Sequence, residues 1–187
     1  MEAIVPAFLL AVLSQIGDRP AALTALLSDR FARPWTVVLA AAIAQTLGNA
    51  LAALFGAAVA PMLTPEAQSL MLGLALLFGG ASGLFPSKPP GALDSWRLAP
   101  FFTALLGIFA AALGDRTQFF TFALATRGEP AFAAIGAILG TAAIAFVAAT
   151  LGESGWRPVA ARWPRLGVAF LFLGAGFWTA LGALRLL

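Results

Sequence analysis

The sequence predicts an all-α, polytopic membrane protein of six transmembrane helices, arranged as two inverted three-helix repeats. Three observations carry this expectation. Of the 187 residues, 61% are hydrophobic and 10% are charged, against about 25% charged in an ordinary soluble domain. Apolar segments recur along the chain at the roughly 20-residue length that a helix needs to cross a bilayer. The triplet Gly-Asp-Arg occurs once in each half, at 17–19 and again at 114–116.

The first segment, 3–27, has no basic stretch ahead of it and is followed by others like it, so it reads as a permanent membrane helix and not a signal peptide. The second, 35–60, follows "SDRFARP", and the third, 67–85, follows "PMLTPE". The polar stretch "PSKPPGALDSW" then separates the halves. The fourth segment is 99–124, the fifth 131–151 after "TRGEP", and the sixth 165–186 after "GESGWRPVAARWP". Proline, glycine and charge end each apolar run because they break the helical backbone or resist burial in lipid. The expected organisation is a first repeat over 1–85, a cytoplasmic linker over 86–98 and a second repeat over 99–187.

Loop charge sets the orientation. With sides alternating from the N-terminus, one side collects Arg30, Arg33, Lys88, Arg97, Arg157, Arg162 and Arg165, and the other only Arg127 and Arg185. The positive-inside rule makes the first side cytoplasmic. Both termini are then expected outside the cytoplasm, in a cell (inner) membrane. Trp35, Trp96, Trp156 and Trp163 fall near expected membrane edges, as an interfacial belt places them, while Trp178 lies well inside the last segment.

Composition excludes several classes of function. The chain has no Cys and no His, which removes disulfides, thiolate nucleophiles and the commonest transition-metal ligand. Any cation site must use oxygen. No basic cluster fits nucleic acid, no nucleophile–base group points to an enzyme, and no cofactor is expected. The expected partners are the lipid bilayer and a transported species, with the oligomeric state left open.

Asp18, Arg19, Asp115 and Arg116 are the charged residues away from loops and helix ends. Near a bilayer centre each costs roughly 2.5–3.5 kcal/mol on insertion scales, so they should face the protein interior. Neighbours in sequence diverge by about 100° on a helix, so Asp18 pairs more readily with Arg116, and Asp115 with Arg19. Two such bridges are one reading of the triplets, as a lock between halves. The other reading is a cation or proton site on the two carboxylates. Gly17 and Gly114 allow close helix approach, and Pro20 either frees a carbonyl or kinks the helix. Gln15 shares a face with Asp18, and Gln118 with Asp115, while Thr117 adds a hydroxyl. Gln45 and Asn49, one turn apart, form a possible supporting layer or an interhelical hydrogen-bond set. Ser14 and Ser82 read as packing residues. Two carboxylates with neutral oxygens suit a hard cation such as Ca²⁺ or Mn²⁺ and also suit proton coupling.

These features resemble the Gdt-one family of membrane Mn²⁺/Ca²⁺–proton exchangers. Its members carry two three-helix repeats, each with a motif Glu-apolar-Gly-Asp-Lys/Arg-Ser/Thr, often followed by Gln. The matching positions here are Gly17, Asp18 and Arg19, then Gly114, Asp115, Arg116, Thr117 and Gln118. Gln15 and Ala112 stand where the motif has Glu, and Pro20 and Ala21 where it has Ser/Thr and Gln. The resemblance implies a secondary transporter exporting Mn²⁺ or Ca²⁺ in exchange for protons, with Asp18 and Asp115 as cation and proton ligands. Gln15, Gln118 and Thr117 are the residues expected to complete the shell. Loss of two glutamates implies altered coupling or weaker affinity. The alternatives are a structural or accessory membrane protein, or a transporter of a monovalent cation or small solute.

Overall fold

A computed structural model describes residues 2–85 and 89–184. Lys88 and Arg185, two of the charges used for orientation, and the first residues of the expected linker lie outside the described residues. Among the described residues there are eight α-helices: α1 (Ile4–Ser14), α2 (Arg19–Phe31), α3 (Pro34–Val59), α4 (Pro65–Leu84), α5 (Pro100–Ala112), α6 (Arg116–Ala125), α7 (Pro130–Val159) and α8 (Arg162–Ala183). A short 3₁₀ turn, Ala60–Met62, extends α3.

The all-α, multi-pass membrane class holds, but six spans in two three-helix repeats do not. Among the described residues, four helices are long and apolar enough to cross a membrane: Pro34–Met62, Pro65–Leu84, Pro130–Val159 and Arg162–Ala183. The expected first and fourth spans are instead each divided into two shorter helices, α1 with α2 and α5 with α6. The division falls at the Gly-Asp-Arg triplets. Gly17 adopts φ +76° and Gly114 φ +73°, a left-handed conformation that ends a helix and strongly favours glycine. The aspartate that follows is extended and caps the next helix: Asp18 before α2, Asp115 before α6. Pro20 accordingly sits in the first turn of a new helix, where it has no hydrogen bond to break, and does not kink a continuous one.

The long helices sort their residues by size. On α3 the buried face reads Ala40, Ala41, Ala44, Gln45, Gly48, Asn49, Ala52. The opposite face exposes Leu39, Ile43, Leu47, Leu51 and Leu54. Lipid is as apolar as leucine, so large side chains gain little by turning inward, whereas small ones let backbones approach. α3 packs on α5, α6 and α7; α7 also packs on α1 and α2; α4 pairs with α8. α7 is interrupted at Gly152 (φ +67°). There Asp29 of α2 accepts a hydrogen bond from the Glu153 N–H at 2.7 Å, and Ser28 Oγ donates to the Ala149 carbonyl at 2.6 Å. Arg30 bonds the Ala92 carbonyl and pairs with Asp94 at 3.6 Å, tying the end of α2 to the loop before α5.

Of the expected tryptophan belt, Trp35 and Trp163 are exposed, as is Trp178. Trp156 departs from it, being buried with Ala21, Ala25 and Ala148 where α2 meets α7.

Candidate functional site

The two helix breaks meet. A cavity of about 420 Å³ is lined by both triplets, Gly17-Asp18-Arg19 and Gly114-Asp115-Arg116. Ser82, Gly83 and Phe85 from the end of α4 close one side, with Leu113 and Arg165 also on the wall. The charged pieces are placed by their caps. A capping aspartate must turn its carboxylate back onto the first N–H groups of its helix. Asp18 accepts from the Arg19 N–H at 2.9 Å, and Asp115 from the Gln118 N–H at 2.8 Å. Both carboxylates therefore sit at the positive ends of helices, a setting that stabilises negative charge.

The cross-pairing expected from sequence is half realised. Arg116 Nε donates to Asp18 Oδ2 at 3.2 Å, with both side chains largely buried. Arg19 makes no corresponding bridge to Asp115: it is exposed, and the polar partner that reaches Asp115 from the first triplet's side is Gln15. Gln15 Nε2 donates to Asp115 Oδ2 at 3.4 Å and to Thr117 Oγ1 at 3.0 Å. Gln15 was expected to share a face with Asp18; the helix break turns it to the other carboxylate. Asp115 thus keeps neutral donors around it while Asp18 is matched by an arginine.

The remaining expected residues form a layer behind Asp115. Thr117 is buried and shares a 2.8 Å hydrogen bond with Ser14. Thr121 Oγ1 donates to Asn49 Oδ1 at 2.9 Å, and Asn49 Nδ2 donates to the Gln45 carbonyl at 2.9 Å. Gln118 Oε1 accepts from the Gly114 N–H at 3.1 Å, and its amide lies over Gly48. Gln118 Nε2 and Gln45 Oε1 are both buried without a hydrogen-bond partner among the described residues. Gln45 and Asn49 are therefore positioned beside the site from α3 and bear on it through Thr121 and Thr117.

Ser14 and Thr121 were not among the expected ligands. Thr121 lies one helical turn after Thr117, a spacing that places both on one face; Ser14 directly precedes Gln15. Arg165 gave no signal beyond its count as a loop charge. Among the described residues, no three acidic side chains cluster as a metal centre. The oxygen set consists of two carboxylates, hydroxyls and amide carbonyls, a hard-donor set for an ion such as Mn²⁺ or Ca²⁺.

Comparison with known proteins gives one family. The model of the family described as "Divalent cation/proton antiporter GDT1" matches residues 3–90 and 100–186, leaving out 91–99 in the connection between α4 and α5. The chain is 31% identical over 115 residues to a "Putative manganese exporter" of Vibrio cholerae, across 62% of this chain. The match spans 58% of that relative's length. No solved structure matches.

Proposed function

The chain belongs to the GDT1 family of divalent cation/proton antiporters, and from that premise we propose that it exports Mn²⁺ or Ca²⁺ in exchange for protons through the cavity between its two helix breaks. Members of the family are transporters and not enzymes, and the chain is a multi-pass membrane protein. The proposed carrier groups are Asp115 and Asp18, with Gln15, Thr117 and Gln118 around Asp115.

The observation that carries this reading is the asymmetry of the two carboxylates. Asp18 is neutralised by Arg116. Asp115 is buried and held by neutral donors, the Gln118 N–H and the Gln15 amide. A buried carboxylate whose hydrogen-bond partners are neutral can exchange a proton for a metal ion, because either one removes its charge. Release of the Arg116 bridge then frees Asp18 as the second oxygen ligand. Mn²⁺ is favoured by the relative's description as a manganese exporter; the hard oxygen donors suit Mn²⁺ and Ca²⁺ alike.

The proposed location is a bacterial inner membrane with both termini outside the cytoplasm.

The ion pair and the Gln15–Asp115 bond also favour a second reading, in which the triplets are a static lock and the protein transports nothing. The test is flux in sealed liposomes with a pH-sensitive dye inside. Mn²⁺, Ca²⁺, Na⁺ or K⁺ is added outside. Proton movement driven by Mn²⁺ or Ca²⁺ alone, and lost in Asp115→Asn, is expected. Movement with Na⁺ or K⁺ would name a monovalent substrate, and none with any ion in folded protein would leave the lock.

A further inference from the structure

The wall of the cavity holds a third arginine that neither triplet supplies. Arg165 lies in the first turn of α8. A cation there opposes the positive end of the helix dipole, so the helix gains nothing from it. Its Nε is buried and has no hydrogen-bond partner among the described residues. Its stem crosses Gly17 so closely that a Cβ on that glycine would lie 3.0 Å from Arg165 Cδ. The Nε of the guanidinium is thus held at the break without an acceptor among the described residues.

Arg165 also borders a second cavity of about 290 Å³ between α2 and α7, and Gly17 and Arg165 line both cavities. The first cavity carries Asp18 and Asp115 against Arg19, Arg116 and Arg165. One arginine there is in excess over the carboxylates, and a bare divalent cation entering meets repulsion. The second cavity offers Glu153, whose carboxylate accepts at 2.7 Å from an Arg157 side chain that is itself 75% exposed. Acceptors for a guanidinium therefore stand on both sides of Gly17.

We propose that Arg165 is a charge gate over the Asp18–Asp115 cavity: in place it excludes cations, and withdrawn toward Glu153 it admits one to the carboxylates. The inference rests on reading that cavity as the cation site. It adds a residue outside the Gly-Asp-Arg triplets and assigns it control of entry.

The test reads local charge and needs no transport. The natural chain has no cysteine, so one is placed on the cavity wall as Ala111→Cys. The full-length protein in detergent is reacted with a cationic and an anionic methanethiosulfonate of similar size. Arg165→Met, which keeps the stem over Gly17, is expected to raise the cationic-to-anionic rate ratio by roughly fivefold or more. Arg165→Lys keeps the original ratio. At Met62→Cys, an exposed position in the turn after α3, the ratio stays constant. An unchanged ratio at Ala111→Cys in Arg165→Met, or an equal rise at Met62→Cys, overturns the gate. If Arg165→Met fails to fold, Arg165→Gln serves as the neutral variant and is judged by the same ratios. A raised ratio in a protein that moves no ion in liposomes retains Arg165 as the charge gate and discards the exchanger.

Discussion

Arg116 and Asp18 stand 98 positions apart in the chain, yet their side chains meet at 3.2 Å across the two helix breaks. The contact joins one triplet to the other and leaves Asp115, the residue beside Arg116, to neutral partners. This unequal treatment of two like motifs organises the predictions below.

Asp115→Asn should abolish proton-coupled cation movement while leaving the fold in place. Asparagine caps a helix about as well as aspartate, so the Gln118 N–H keeps its acceptor. The expected outcome is at least a hundredfold loss of Mn²⁺-driven proton flux in liposomes, with thermal unfolding in detergent little changed. A variant that retains the flux removes Asp115 from the mechanism.

Gln15→Glu would place a third carboxylate against Asp115, where Gln15 now donates at 3.4 Å. Two carboxyls at that distance share a proton, and a divalent ion relieves their repulsion. Mn²⁺ affinity should rise by roughly tenfold, about the 1.4 kcal/mol of one power of ten, and should fall more steeply with acid than in the parent. Binding isotherms at two pH values check both parts.

Replacing the glycines at the breaks should destabilise the protein to different extents. A Cβ at Gly114 meets nothing within 4 Å, so Gly114→Ala carries the backbone penalty alone, about 1–2 kcal/mol for a left-handed residue. Gly17→Ala adds crowding against the Arg165 stem and should unfold at a lower temperature than Gly114→Ala. Equal melting temperatures would mean that the stem moves aside freely.

Asp29→Ala should loosen the contact between α2 and the interruption in α7. The Glu153 N–H would lose its 2.7 Å acceptor, at a cost of about 1 kcal/mol for a lost cap. Hydrogen exchange at 152–156 should quicken, with the cavity at the opposite end of α2, beyond Arg19, unaffected in flux assays.

Much of this was legible in the chain, for physical reasons that can be named. Asp18, Asp115 and the Asp18–Arg116 bridge followed from the cost of charge in lipid, which forces buried ions to seek each other. Membrane residence followed from composition. The breaks were missed because a length test on apolar segments counts Gly17 and Gly114 as helix interior. Yet Gly followed by Asp, with Pro20 just beyond, is a helix stop joined to a helix start. That error changed the fold from six spans to four long helices with four shorter ones, and it turned Gln15 toward the wrong carboxylate. Trp156 shows the limit of belt reasoning: position along the chain placed it at an interface, but packing between α2 and α7 buries it. Arg165 was invisible for a related reason. A loop charge at the head of a helix acquires meaning only when Gly17, from 148 positions earlier, lies beneath its stem.

The most direct test of the central claim counts protons released when the cation binds. Mn²⁺ is titrated calorimetrically into purified protein in two buffers of different ionisation enthalpy, with Asp115→Asn alongside. The account predicts that the native chain releases protons on binding Mn²⁺ and that Asp115→Asn releases fewer or fails to bind. Binding with no proton release, or an Asp115→Asn isotherm identical to the native one, would contradict it.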